Sequence, residues 1–386
     1  MALTDHCRDG DLAALQTYCA QANVTATQVR ESNALLVACI GNHLEIARWL
    51  QRTFRLTAAD ARTADNYALR CACEHGRLEL ARWLRQAFRL TAADARAKGN
   101  IALCGACLNG HFEVANWLRQ AFRLTAADAR ASGNRALLWA CENGQLEAAR
   151  WLHQTFQLNT ADARTGKNNA LRMACKNGHL DVARWLQQTF QLTATDARAN
   201  DNYALLWACT NNHLEVARWL QRTFQLTAAD AQADDNQALR WACFYGHLEV
   251  VRWLQQTFQL TASDARSDDN YALRWACTNG HLEVLRCIQR TWGIPPDALA
   301  AANSGSVPAP CAAYLSGLRT LHWSPRTHAD FPLPTRRLVL RLLLVYRRLT
   351  REPSEPGALP LLPPELWHHL LSYLPTYLPT YLPTWC

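Results

Sequence analysis

The chain has 386 residues, of which 49% are apolar and 19% charged, and this composition excludes disorder for most of its length. The formal net charge is +8, and of 40 Lys and Arg residues only Lys98, Lys167 and Lys176 are lysine. The apolar runs of the sequence are shorter than the ~20 residues that a membrane-spanning helix needs. Charged residues near the N-terminus interrupt any apolar segment that could serve as the core of a signal peptide. We therefore expect neither a transmembrane segment nor a secretory signal.

Residues 1–32 read as a degenerate copy of the repeats that follow them. If this segment is two residues shorter than the 34-residue repeats, Leu12 aligns with Leu44 and Val24 with Leu56. Thr17 then stands at the position where the repeats carry tryptophan. Polar, degenerate terminal units are typical of the ends of repeat arrays. We expect residues 1–32 to form an N-terminal capping repeat.

Residues 33–294 are built from a 34-residue unit. Cysteine recurs at this interval from Cys39 to Cys277, and tryptophan from Trp49 to Trp253. A fixed period of this length predicts a stacked repeat array. Equivalent residues in neighbouring helical repeats lie about 8–10 Å apart, which is too far for a disulfide. We interpret these cysteines as small, reduced core residues, which places the protein inside the cell.

One unit, from Asn66 to Asp94, predicts two amphipathic helices and a short third one. The first helix carries Ala-Leu-x-x-Ala-Cys, and a turn at Gly76 leads to the second. Glu79 and Arg82 are spaced for an i,i+3 ion pair, and Thr-x-x-Asp at the end of the unit predicts a capping box. The expected apolar face of the second helix is Leu78, Ala81, Trp83, Leu84 and Phe88.

These residues resemble ankyrin repeats. Asn279-Gly280-His281-Leu282-Glu283-Val284 is similar to the turn and second helix of that family, and Ala-Leu-x-x-Ala-Cys to its first helix. Ala68 stands at the family's proline, and the linker reads Thr-Ala-Ala-Asp-Ala-Arg. The resemblance implies an all-α, ankyrin-like helical solenoid of about eight 34-residue repeats, with helical or looped fingers, a degenerate N-terminal cap and a small helical C-terminal region.

One arc of the first helix, together with the loop before it, varies from unit to unit. At 100° per residue the opposite arc carries Ala, Leu, Ala and Cys in every unit and is core. The exposed positions of the second helix hardly vary. Variation confined to one face favours recognition of a target protein over random sequence drift. Tryptophan is a residue type typical of binding hot spots, so the tryptophans on this face support that interpretation. The alternative is that these tryptophans only pack between neighbouring helices. The predicted partner-binding residues are Tyr67, Ile101, Arg135, Trp139, Met173, Tyr203, Trp207, Gln237, Trp241, Tyr271 and Trp275.

Other chemistries find no support in the sequence. Arginines such as Arg62 and Arg96 each follow an aspartate by two residues, so we expect local neutralisation and no nucleic-acid partner. Turn histidines such as His43 and His281 recur once per unit, so we interpret them as bonding the backbone and not a metal. No phosphate loop or catalytic set is present, and we predict no enzyme and no cofactor.

The period ends at Pro295-Pro296, and residues 295–335 read as a linker containing Pro, Gly and Ser. Residues 336–374 predict a basic helix followed by a second helix. We prefer capping of the array for the basic helix over contact with acidic membranes or nucleic acid. Residues 375–386 repeat Leu-Pro-Thr-Tyr and predict an extended low-complexity tail.

The second C-terminal helix resembles the start of an F-box, whose pattern begins Leu-Pro-x-Glu-Leu. About 25 residues follow Leu362, so the segment is similar to the truncated F-box-like tails of ankyrin-repeat proteins in large DNA viruses and some protists. The alternatives are an ordinary amphipathic helix and a SOCS box, whose Cys-Arg is missing. The residues that carry the resemblance are Leu362, Pro363, Glu365, Leu366, Leu370, Leu371 and Leu374.

The two resemblances together imply a non-catalytic adaptor. The array would hold a target protein, and the tail would recruit a cullin-RING ubiquitin ligase through a Skp-family adaptor. The alternative is an interaction scaffold with no ligase, whose C-terminal region only caps the array. We expect a monomer without membrane contact, located in the cytoplasm, or in the host cytoplasm if the protein is viral.

Overall fold

The computed structural model describes residues 3–292 and 308–312, and the chain divides into two compact units. Unit 1 comprises Met1–Ala204 and Glu215–Phe224, and unit 2 comprises Leu205–Leu214 and Gln225–Cys386. The helices are α1 (Leu3–Asp9), α2 (Leu12–Gln21), α3 (Ala26–Glu31), α4 (Ala34–Ile40), α5 (Leu44–Thr53), α6 (Ala58–Ala61), α7 (Thr63–Glu74), α8 (Leu78–Phe88), α9 (Ala92–Ala95), α10 (Ala97–Leu108), α11 (Phe112–Phe122), α12 (Ala126–Ala129), α13 (Ala131–Glu142), α14 (Leu146–Phe156), α15 (Thr160–Ala163), α16 (Thr165–Lys176), α17 (Leu180–Phe190), α18 (Ala194–Ala197), α19 (Ala199–Thr210), α20 (Leu214–Phe224), α21 (Ala228–Ala231), α22 (Ala233–Phe244), α23 (Leu248–Phe258), α24 (Ala262–Ala265), α25 (Ser267–Thr278) and α26 (Leu282–Trp292).

Each repeat consists of a first helix, a second helix and a four-residue third helix, as in α7, α8 and α9. The first two are joined by a turn in which Gly76 has a φ of +72°. The Arg77 amide donates to the Ala72 carbonyl at 2.8 Å, which closes a Schellman-type helix end. A side chain at Gly76 would be strained in this conformation, which explains why the turn carries glycine.

The stacking of these helices confirms the predicted fold class. In unit 1 the first helices α4, α7, α10, α13 and α16 pack in order, and in unit 2 α22 packs on α25 and α23 on α26. The residues that the structure describes contain helices and no strands. Each unit is therefore an ankyrin-like helical solenoid whose fingers are short helices in place of β-hairpins.

The core follows the constant positions of the sequence. Ala68, Leu69, Ala72 and Cys73 are all buried, as their pattern predicts, and so are their equivalents in the other repeats. In the second helix the predicted face needs a correction, because Leu80 is buried whereas Leu78 and Trp83 are only half-buried. Leu78 is the first residue of its helix and lies beside the turn, whereas Leu80 lies with Leu84 on the inward side.

Aromatic pairs close the end of each second helix. The rings of Trp83 and Phe88 meet edge to face with centroids 5.5 Å apart, a geometry that suits the quadrupoles of both rings. The same pair recurs in six other repeats at 5.4–5.6 Å. The recurring tryptophan is therefore part of the array's own packing.

The third helix begins with the predicted capping box. The Thr91 amide donates to Asp94 Oδ2 at 2.7 Å, and the Thr91 hydroxyl reaches the same oxygen at 3.0 Å. Equivalent boxes are present at the start of every short third helix from α6 to α24. The exposed ion pair of Glu79 and Arg82 is also confirmed, with an N···O distance of 3.2 Å.

The expected local pairing of the linker arginines is wrong. Arg62 does not pair with Asp60 but forms a two-pronged ion pair with Asp94 in the next repeat, at 2.6 and 3.0 Å. Arg96 binds Asp128 in the same way. The periodicity could not distinguish the two partners, because the units repeat the same Asp-x-Arg, with Gln232 as the exception. The charge of these arginines is neutralised between repeats and not within them.

The turn histidines bond the preceding repeat, as interpreted from the sequence. His43 Nε2 lies 2.8 Å from the Arg8 carbonyl, and His281 Nε2 lies 2.9 Å from the Phe244 carbonyl. Each ring also covers the glycine of the preceding turn, as His281 covers Gly246. In unit 2, Pro308 covers Gly280 in the same manner, so part of the predicted linker packs on the last repeat.

Near its start, the first helix of a repeat contains a left-handed turn that the sequence did not predict. Ala64, Asp65 and Asn66 all have left-handed backbone angles, with φ of 51°, 56° and 60°. The same three-residue turn recurs at the second to fourth residues of α10, α13, α16, α19 and α22. Left-handed conformation costs about 1 kcal/mol or more for residues other than glycine. This turn sets the tip of each loop at the start of the variable face.

Candidate functional site

The eleven predicted partner-binding residues lie on an accessible side of the first helices. Tyr67 is 39% exposed, and the other ten are half-buried. The constant residues of the same helices, such as Leu69 and Cys73, are completely buried. The variable positions are therefore available to a partner without disturbing the core. These ten residues are Ile101, Arg135, Trp139, Met173, Tyr203, Trp207, Gln237, Trp241, Tyr271 and Trp275.

Two small residues on the variable arc are less accessible than the helical arc predicts. Cys71 and Gly105 occupy the position of Trp139, and both are buried. A side chain added at Gly105 would lie 3.1 Å from Glu74 Cβ in the preceding repeat. Short side chains at this position lie beneath their larger neighbours, so the surface there is formed by the flanking residues.

Arginines on the variable face of unit 1 lie over its aromatic rings. The Arg70 guanidinium is 5.1 Å from the centre of the Tyr67 ring, and that of Arg135 is 5.7 Å from Trp139. The Arg172 guanidinium lies 5.6 Å from the ring of Tyr203, and burial lowers the pKa of Arg172. Such cation–π contacts hold long side chains in place.

Within each unit, contacts between successive loops join neighbouring variable loops. In unit 1, Lys98 Nζ lies 3.0 Å from an Asp65 carboxylate oxygen, and Lys167 Nζ lies 3.3 Å from Asn200 Oδ1. In unit 2 the Ser267 hydroxyl donates to the Asp235 carbonyl at 3.1 Å. Residues that are 32 or 33 positions apart in sequence thus become neighbours on the surface.

Unit 2 carries an aromatic cluster on its variable face. Trp241 stacks on Tyr245 with centroids 5.8 Å apart, and Phe244 lies 4.9 Å from Trp275. Tyr271 lies 5.4 Å from Trp275. Phe244 and Tyr245 were missed by the sequence reasoning. The signal for them was available, because Tyr245 breaks the Asn-Gly turn of the neighbouring repeats.

The described residues contain small cavities but no metal-ligating cluster. They contain no group of three or more His, Cys, Asp or Glu side chains that could hold a metal. A cavity in unit 1 lined by Asn134 and Thr165 measures about 40 Å³, and one lined by Arg30 and Asp60 about 20 Å³. These volumes admit a few water molecules.

The cysteines that the structure describes are free thiols, thirteen of them buried and Cys287 half-buried. Burial raises the pKa of Cys39 and of Cys104 to about 12. The nucleophilic thiolate is therefore suppressed at neutral pH, and these residues act as small core side chains.

Comparison with known families finds a match to part of the repeat array. Segments 87–162, 103–196, 154–230 and 171–264 match the family model described as Ankyrin repeats (3 copies). No curated protein matches the chain. The detected ankyrin repeats indicate a scaffold for protein–protein interaction.

The remaining predictions fall on other parts of the chain. The basic helix and the F-box-like residues from Leu362 to Leu374 lie outside the described residues. Among the helices that are described, none is both long enough and apolar enough to cross a lipid bilayer.

Proposed function

We propose that the protein is a non-catalytic adaptor. Its repeat array binds a target protein through the variable face, and residues 362–374 recruit a cullin-RING ubiquitin ligase through a Skp-family adaptor. The observation that carries the first half is the contrast between the two arcs of the first helices. The constant arc is buried, whereas the varying residues are accessible.

The composition of this face supports protein binding. Trp, Tyr and Arg are the residue types that most often carry the energy of protein interfaces. Here they are held by cation–π contacts such as that of Arg135 with Trp139, so little side-chain entropy remains to be lost on binding. The adaptor would act by raising the effective concentration of the target at the ligase, with no chemistry of its own.

The alternative is an interaction scaffold with no link to ubiquitin. The packing of Pro308 on Gly280 and the complete burial of Cys311 favour it, because residues beyond the array then serve to cover its end. Both proposals place the protein inside the cell, in the cytoplasm, where the free thiols that line its core would stay reduced.

The target-binding half is tested by removing two tryptophans from the variable face. The variant Trp207→Ala with Trp241→Ala should lose the target protein that co-purifies with the wild type. Trp83→Ala, which removes a tryptophan from a second helix, is the matched control and should retain it. Circular dichroism checks that each variant is folded. Retention of every partner by the double variant would rule out the variable face as the binding site.

The ligase half is tested by co-precipitation with a Skp-family adaptor. Binding should be lost on removal of residues 359–386 and in the variant Leu366→Asp with Leu370→Asp. Tyr377→Ala, in the low-complexity tail, is the control and should leave binding unchanged. If the wild-type protein does not bind the adaptor, the scaffold alternative is correct.

A further inference from the structure

We propose that the variable face of unit 2 binds a partner segment that carries a basic side chain at one end and an apolar side chain about 12 Å away. This inference rests on the proposed function, because it names the kind of protein segment that the face would take. It depends on an aromatic cluster at one end of α22 and exposed carboxylates at the other.

The aromatic end is a continuous ring surface. Trp241 and Phe244 lie on the last turn of α22, Tyr245 follows it directly, and Trp275 of α25 lies against Phe244. Tyr245 also stacks on His247, with centroids 5.9 Å apart. Tyr245 is 48% exposed, so part of this ring surface is open to a partner.

Tyr245 stands at a position where other repeats carry an asparagine with a structural role. In three other repeats the equivalent asparagine donates a hydrogen bond to the preceding repeat, as Asn109 does to the Glu74 carbonyl at 2.7 Å and Asn177 to the Glu142 carbonyl at 2.6 Å. Asn279 does the same to the Phe244 carbonyl. A tyrosine cannot make this bond from its ring, so the exchange favours a role in binding over one in folding.

The other end of α22 is acidic. Asp234 and Asp235 form the tip of the left-handed turn, both are exposed, and neither carboxylate forms an ion pair within the residues that the structure describes. Asp268 in the next loop is already paired with Arg240, whose guanidinium lies 5.2 Å from the centre of the Tyr271 ring. The open charge at this end is therefore negative, in a chain whose net charge is +8.

The spacing of the two ends defines the occupant. Asp235 lies in the left-handed turn and Tyr245 is the residue after α22, so the eight helical residues 237–244 separate them, which corresponds to about 12 Å. An extended peptide covers that distance with about four residues. A basic side chain would pair with Asp234 and Asp235, and an apolar one would lie on Tyr245. Arginine suits this site better than lysine, because it binds carboxylates with two hydrogen bonds and stacks on rings.

The test measures binding of a fluorescently labelled synthetic peptide to the full-length protein by anisotropy. The peptide has two arginines, a Gly-Ser-Gly spacer, then leucine and phenylalanine. One control peptide carries glutamate in place of both arginines, and another carries glutamine in place of leucine and phenylalanine. The first peptide should bind at least about tenfold more tightly than either control, and less tightly as salt rises from about 50 to 300 mM.

Two variants assign the binding to the two ends of α22. Asp234→Asn with Asp235→Asn should weaken binding about fivefold and reduce its salt dependence. Tyr245→Asn, which restores the residue of the neighbouring repeats and should keep the fold, should weaken binding by a similar factor. Asp181→Asn removes an exposed carboxylate from α17 instead and should change nothing.

Two results would overturn the inference: equal binding of the glutamate peptide, or unchanged binding to both α22 variants. Absence of binding by every peptide would also overturn it, including the case in which the protein's own C-terminal region occupies the face. Each of these results leaves the proposed function standing if the target protein is still lost from the Trp207→Ala, Trp241→Ala variant.

Discussion

A single aspartate in each repeat accepts hydrogen bonds from two sources. Asp94 Oδ2 caps the third helix through Thr91, while both of its carboxylate oxygens receive the Arg62 guanidinium from the preceding repeat. These bonds hold the pKa of Asp94 at about 2, with the Arg62 bond as the largest cause. In unit 2 the donor is a neutral side chain, since Gln232 Nε2 donates to Asp264 Oδ1 at 2.8 Å.

The Gln232 position predicts a stabilising substitution. Gln232→Arg should restore the two-pronged ion pair with Asp264 and raise the free energy of unfolding by about 0.5–1 kcal/mol, because a charge-assisted bond replaces a neutral one at a half-exposed site. The measurement is urea unfolding at low and high salt, and the gain should shrink at high salt. Gln232→Ala is the control and should lower stability. No gain in the arginine variant would show that the ion pairs contribute nothing net.

At the scale of the element, the left-handed turn is the strained part of each repeat. Its first position is Ala64 in one repeat and Gly166 in another, with φ of 51° and 62°. The space around Gly166 would accept a Cβ at 3.4 Å from the Asn169 side chain, so steric contact there is mild. The difference in stability between alanine and glycine at this position should then come only from their backbone preferences.

Reciprocal substitutions test the cost of this turn. Ala64→Gly should raise the free energy of unfolding by about 0.5–1 kcal/mol, because relief of the left-handed strain exceeds the added entropy of the unfolded chain. Gly166→Ala should lower it by a similar amount. Thermal unfolding measures both changes. Opposite signs for the two variants are the expected result, and the same sign for both would contradict the argument.

Helix positions and caps could be predicted because each is determined within one repeat. The Thr-x-x-Asp spacing predicted the third helix, and Glu79 with Arg82 predicted an ion pair within one helix. The features that were not predicted correctly depend on contacts between neighbouring repeats or on backbone strain. The Arg62 partner lies 32 residues away, and the turn at Ala64 places a good helix former in a left-handed conformation. A repeated sequence specifies each residue's partner type but not the repeat that supplies it.

At the scale of the whole molecule, repeated features add their effects on pH dependence. Asp94 and Asp128 have a pKa of about 2, and hydrogen bonds lower the pKa of Asp162, Asp196 and Asp264 although burial opposes this. An unfolded aspartate titrates near 3.9, so the unfolded chain binds these protons first as pH falls. The stability that these groups contribute is present above pH about 4 and is lost as pH falls toward 2.

The acid limb can be measured by urea unfolding at a series of pH values. We expect a steep loss of stability between pH about 4 and 2, with proton uptake on unfolding by several groups together. The variant Asp128→Asn should be less stable at pH 7, because it loses the Arg96 ion pair, and its decline below pH 4 should be shallower. An equal slope in the variant and the wild type would contradict this assignment.

Two histidines predict a second, weaker pH dependence near neutrality. Burial lowers the pKa of His111 and of His247, so each stabilises the fold in its neutral form. This contribution is complete above pH about 6.5 and falls as pH drops through 6.5 toward the folded pKa. Gln145 already fills the same position over Gly110 that His111 fills over Gly76. His111→Gln should therefore fold, show a smaller loss of stability between pH 7 and 5, and keep the acid limb. An unchanged profile between pH 7 and 5 would mean that His111 does not contribute to this dependence.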